Sequence, residues 1–197
     1  MLKKLRQIAN PDRRPEFCAA LQAIGVDTQV AMYRHHGERI HTNRLFQPTH
    51  SVIDIQKGPI DYVHFYVCGW CGAFYRFHTY NWKAEYAIPD PHLERGFPKI
   101  ALRTKKVWKP PSHLEWKGRD RGLGIVQYLN EDLSTRHIRC KDIELRADPK
   151  YRRWFLIPTR HPINPMDVSP SKEEWSYYEF IAEYLLRVSA SFKETRA

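Results

Sequence analysis

Apolar positions along this chain recur with two different periods. From Arg14 to Gly25 the spacing of Phe17, Leu21 and Ile24 is helical, Pro15 suits a first helical turn and Gly25 is a natural stop, so a short helix is predicted. From Gln29 to Ile88 the pattern turns to alternation. The runs TQVAMYRHH, ERIHTNRLF, HSVIDIQ, IDYVHFYVC, CGAFYRFHTY and WKAEYAI read as strands, separated by turn signals at His36-Gly37, Lys57-Gly58-Pro59 and Asn81. Adjacent short strands with no helices between them predict an antiparallel meander over residues 29–88.

Beyond the proline-rich corner IPDPHLERGFP, the segment Lys99 to Trp108 reads as one more strand, running into a basic, proline-rich loop over about residues 104–121. GLGIVQYLNEDLSTRHIRC is open between strand and helix, with helix favoured over its latter half. Asp142 to Arg146 and Tyr151 to Pro158 read as strands joined at Asp148-Pro149-Lys150. A long helix follows over about residues 171–189: Ser171 and Glu174 have capping-box spacing, and Trp175, Tyr178, Ile181, Leu185 and Val188 then share one face. There is no internal repeat and no low-complexity segment. The expectation is a single α+β domain over residues 1–197, an antiparallel sheet with an N-terminal and a long C-terminal helix packed on it.

Composition changes this picture only where charge is concerned. The chain carries a formal net charge of +10, which draws it to polyanions, because cations that neutralise phosphates release condensed counterions. No apolar stretch approaches the roughly 20 residues that span a bilayer, and the first residues lack the apolar core of a secretory signal. A soluble, cytoplasmic protein is expected. Four cysteines, Cys18, Cys68, Cys71 and Cys140, are too few for a disulfide scaffold and suit a reducing compartment.

The stretch Asp61 to Tyr80 reads as a hairpin turning at Gly69-Trp70, which sets Cys68 opposite Cys71. Tyr62, His64, Tyr66, Tyr75 and Phe77 then share the cysteine face, while Val63, Phe65, Val67 and Phe74 form the other. The string CGWCG resembles the knuckle of a zinc ribbon, which implies zinc on Cys68 and Cys71 as half of a four-ligand site; His64 or His78 with Cys18 or Cys140 would complete it. Cys-Gly-Trp-Cys also resembles the redox pair of thioredoxin-like oxidoreductases. Here, however, a strand pattern follows Cys71 where that family has a helix N-terminus. Two small residues at a strand end, with no cofactor, are the simpler expectation.

The cysteine face has the aromatic character of a stacking platform for unpaired bases, and a basic segment lies nearby. Lys105, Lys106, Lys109, Lys117, Arg119 and Arg121 are interleaved with Trp108 and Trp116, a mixture suited to phosphates and bases together. The leading expectation is therefore a non-catalytic binding or adaptor protein that contacts nucleic acid or a ribonucleoprotein through these eight residues. Backbone contact is favoured over base readout.

Two alternatives accompany it. Pro89-Asp90 with Glu115-Trp116-Lys117 resembles the PD-(D/E)xK nuclease pattern; the resemblance implies that Asp90 and Glu115 hold a divalent metal beside Lys117. The other alternative is a structural subunit of a larger protein assembly, with the aromatic face buried against a partner. The ten histidines fall into no catalytic spacing, and the serine elbow G-x-S-x-G is absent.

Overall fold

The computed structural model of the chain describes residues 12–31, 52–71, 78–94, 96–107, 113–136, 143–158 and 165–194. Helix α1 (Arg14–Ala23) leads into β1 (Thr28–Val30), β2 (Val52–Ile55), β3 (Tyr62–Cys71), β4 (His78–Pro89), β5 (Ala101–Val107) and β6 (His113–Arg119). Helix α2 (Ile125–Arg136), β7 (Ile143–Asp148), β8 (Arg153–Pro158), a single 3-10 turn (Pro165–Val168) and helix α3 (Lys172–Glu194) complete it.

The eight strands form one antiparallel sheet in the order β1-β2-β3-β4-β8-β7-β5-β6. The first four follow one another as a meander. After β4 the chain leaves its neighbour's place to β8, and the β5–β6 hairpin lies at the far edge. The fold is α+β, as the two periodicities predict.

Local chemistry sets the helix ends. Pro15 stands in the first turn of α1, and Gly25, just past its end, takes φ +93°, which glycine adopts without a Cβ penalty. At α3 the capping box is complete: the Ser171 amide donates to Glu174 Oε2 at 2.9 Å, and the Glu174 amide donates to Ser171 Oγ at 3.2 Å. The α2 segment starts earlier than its sequence pattern indicated, because Asp120 accepts from the Gly122 amide at 3.2 Å and from the Val126 amide at 3.2 Å. This carboxylate pins the helix start directly after β6.

The three helices share one face of the sheet with the main core. Phe17 of α1 stacks on Phe65 at 4.4 Å, and Phe65 on Trp82 at 4.7 Å. Tyr86 meets Trp175 and Tyr178 of α3 at 5.9 and 5.1 Å. Ile125 and Leu129 of α2 are fully buried in the same cluster. On the opposite face Val52, Tyr62 and Ala87 form a smaller apolar cluster with Ala31, and Phe155 packs against it.

Two expectations need correction. The β3–β4 hairpin does not turn at Gly69-Trp70: both residues lie inside β3, and the ladder runs from Tyr62↔Ala87 to Cys71↔His78. Segment 104–121 is not a loop, since most of it builds β5 and β6, paired from Ala101↔Arg119 to Val107↔His113. Lys105, Lys117 and Arg119, among the charges that suggested a solvated loop, occupy one face of a strand pair, while Leu102, Thr104 and Trp116 point into the core.

Candidate functional site

Alternation in β5 and β6 decides which side chains are available. Leu102, Thr104 and Trp116 are buried, so Ala101, Arg103 and Lys105 of β5 and Lys117 and Arg119 of β6 project from the opposite face, where all five are exposed. The register sets Arg103 directly against Lys117, Lys105 against Glu115, and Ala101 against Arg119. On the inner side of β5, Arg103 faces Glu144 and Ala101 faces Arg146 of β7. Lys117 pairs with Glu115 at 2.9 Å. Among the described residues Arg103, Lys105 and Arg119 make no ion pair. Like charges directly opposite one another disfavour strand pairing, so the Arg103–Lys117 placement opposes the fold that holds it.

Several predicted residues thus come together: Lys105, Lys117 and Arg119 share this face, joined by Arg103, which sequence reasoning left out of the site. Its signal was available, because it has the same parity along β5 as Lys105. Arg121 is exposed just past β6, at φ +54°. Lys106 belongs to β5, with its side chain outside the described residues, and Trp108 and Lys109 lie outside them altogether.

Trp116 does not serve as a stacking partner. It is 1% exposed; its indole N–H donates to Tyr177 Oη at 3.1 Å. Its backbone is held by Asn130 of α2, whose Oδ1 accepts from the Trp116 amide at 2.6 Å and whose Nδ2 donates to the Trp116 carbonyl at 3.1 Å. Asn130 thereby imitates a ninth strand and closes the polar edge of β6 at that residue. The sequence suggested exposure because cations surround Trp116, but those cations point to the other face.

The described part of the aromatic platform is likewise closed, and Tyr75 and Phe77 lie outside the described residues. Tyr62, His64 and Tyr66 are buried, and their cross-strand partners are Ala87, Glu85 and Lys83. Tyr66 donates to Glu85 Oε1 at 2.7 Å, His64 Nδ1 lies 3.9 Å from Glu85 Oε2, and the His64 ring stacks on Tyr66. Burial would raise the Glu85 carboxyl, but hydrogen bonds from His64 and Tyr66 and the charges of His64 and Arg146 outweigh it, leaving the group below its ordinary value. Cys68 pairs with Asn81 and Cys71 with His78, so the two cysteines are not cross-strand partners, and their side chains lie outside the described residues. Among the described residues no group of three or more His, Cys, Asp or Glu converges on a metal position.

The nuclease triplet is not assembled. Asp90 is 1% exposed, and its carboxylate accepts from the Trp154 indole N–H at 2.8 Å, the His92 amide at 2.9 Å and the Ser189 hydroxyl. It joins the end of β4 to β8 and α3. Glu115 lies on β6, four places away in the sheet order, a separation of roughly 19 Å at about 4.8 Å per strand. Two carboxylates that share one metal must each come within about 2.6 Å of it.

A cleft of about 560 Å³ opens on the helical side, between Leu123, Tyr128, Tyr184, Val188 and Phe192, with Arg187 at its rim. Its wall is the stacked pair Tyr128 and Tyr184, 3.9 Å apart and nearly parallel. Partial burial and the neighbouring Tyr128 push the Tyr184 phenol up. No protein-family model, curated protein or solved structure matches the chain.

Proposed function

We propose that the protein binds nucleic acid through the outer face of the β5–β6 hairpin, gripping the phosphate backbone and leaving the bases unread. The observation that carries this reading is the array of Arg103, Lys105, Lys117 and Arg119, four exposed cations on two adjacent strands, with Arg103 held against Lys117. A polyanion relieves that repulsion and releases its own counterions on the same surface. Backbone contact is favoured because, among the described residues, the predicted stacking rings are engaged elsewhere. Trp116, Tyr62 and Tyr66 are buried, and the Arg146 guanidinium lies over the Phe155 ring at 5.4 Å.

The test is a salt series with labelled single- and double-stranded oligonucleotides of mixed sequence, using wild type and the fourfold variant Arg103→Gln, Lys105→Gln, Lys117→Gln and Arg119→Gln. Four phosphate contacts give a slope of log affinity on log salt of roughly −3 to −4, and the variant should lose most of it. Exposed substitutions of this kind leave stability within about 0.5 kcal/mol per site. Absence of wild-type binding at low salt, or equal binding by the variant, would overturn the proposal.

A further inference from the structure

Ala101 is a methyl group with a cation on each of its four sides. Across β6 it faces Arg119, and across β7 it faces Arg146. Along its own strand Arg103 lies two residues ahead and Lys99 two residues behind; Lys99 is exposed while Ile100 between them is 2% exposed, so the alternation continues. Successive same-face residues are about 6.7 Å apart, and direct cross-strand Cβ neighbours about 5 Å. The stems of Arg119 and Arg146 thus stand roughly 10 Å apart over a floor one carbon deep. Ala101 is itself exposed, so no side chain among the described residues fills that opening.

The acids of this neighbourhood do not serve the centre. Glu144 stands against Arg103, Glu115 pairs with Lys117, Asp148 stands against Arg153, Glu85 draws on the charge of Arg146, and Asp120 caps α2. A strand position whose two cross-strand neighbours are both arginines would be stabilised by a carboxylate. This one holds the smallest chiral side chain. With Arg119, Arg103 and Lys99 around it, and the Arg146 guanidinium turned to Phe155 on the β8 side, the opening presents donors to a tetrahedral oxyanion, since guanidinium groups bind phosphate oxygens in a planar fork.

Resting on the proposed nucleic-acid reading, we infer that the Ala101 notch is a phosphate site, the point at which one backbone phosphodiester seats between Arg119, Arg103 and Lys99. The rest of the face then contacts flanking phosphates. The notch fixes the position of the strand on the sheet.

The test compares Ala101→Glu, Ala101→Gln and Lys105→Gln with wild type in the same salt series. Ala101→Glu and Lys105→Gln change the net charge equally, so a difference between them reports the notch and not the general field. Ala101→Glu should weaken oligonucleotide binding at least tenfold and make the salt slope shallower by about one unit or more. Lys105→Gln should cost a few-fold, and Ala101→Gln, which fills the notch without the charge, should fall between. The melting temperature of Ala101→Glu should equal or exceed that of wild type, because the new carboxylate pairs with the ring of cations; this separates lost binding from lost folding.

If wild type binds and Ala101→Glu is no weaker than Lys105→Gln, the notch is overturned while the face reading stands. If wild type binds no oligonucleotide, the face reading itself fails. Should wild type take up inorganic phosphate in a direct titration yet bind no oligonucleotide, the notch would serve a free anion and the backbone assignment would fall.

Discussion

Asp90 and Arg119 are both charged residues on the same sheet, and their surroundings could hardly differ more. The Asp90 carboxylate accepts from an indole, a backbone amide and a hydroxyl in the buried corner where β4, β8 and α3 meet. Arg119 stands exposed at the far edge, opposite a methyl group and two residues from a second cation. A buried charge persists only where the fold supplies partners, and those partners leave it nothing to offer a ligand. An array of exposed like charges that the fold compensates only in part is in the reverse position, with hydrogen-bonding capacity directed outward.

The largest effect that separates these regions is loss of the Asp90 carboxylate. Asp90→Ala strands the Trp154 N–H and the Ser189 hydroxyl in the core and should cost about 3 kcal/mol or more, measured as a shift of the urea midpoint. The nuclease alternative requires the opposite of this variant: an intact fold with divalent-dependent cleavage abolished. Unchanged stability would show that Asp90 is not structural and would return it to consideration as a metal ligand.

Trp116→Phe should have an intermediate effect. Phenylalanine keeps most of the buried ring but removes the donor to Tyr177, leaving that phenol with one fewer partner in the core, at a cost of about 1–2 kcal/mol. Oligonucleotide affinity should not change, since Trp116 lies on the helix side of β6 and the cations on the other. A drop in affinity with stability preserved would mean that this indole leaves the core to stack on a base.

What the sequence made legible was local. The capping box at Ser171 and Glu174, the proline and glycine that bound α1, and the turn at Asp148 each depend on residues a few positions apart, and each appears as expected. The turn at Gly69-Trp70 was a local signal that lost. The β3–β4 register is held by Phe65 between Phe17 and Trp82, a contact made from α1, and this carries β3 straight through the glycine. The β5–β6 hairpin was misread for a related reason. Lysine and arginine at alternate positions mask the inward series of Leu102 and Thr104 opposite Trp116, and Pro110-Pro111 between the strands lends the whole segment the look of a loop. The pairing of β4 with β8 joins residues far apart in the chain, and no short pattern encodes it. The basic site was therefore visible as a composition, while the division of its residues between core and surface was not.

Glu85 lies between the two regions and gives the smallest and most informative of these effects. It belongs to the same face as the basic array, yet His64 and Tyr66 enclose it as donors enclose Asp90, with Lys83 beside it and Arg146 across the face supplying positive charge. Its carboxyl lies below the ordinary value in the folded chain, so the stability it contributes is fully present above about pH 4.5 and is lost as pH falls through the lower folded value. Thermal denaturation of wild type and Glu85→Gln between pH 7 and pH 3 should show wild type losing more stability than the variant over the acid limb, with both alike in the salt dependence of oligonucleotide binding. Equal acid losses would mean that the Tyr66–Glu85–His64 contact adds nothing to folding. A change in salt slope would extend the binding face inward to β4, and the contrast between a satisfied cluster and a partly compensated one would then no longer mark where the ligand sits.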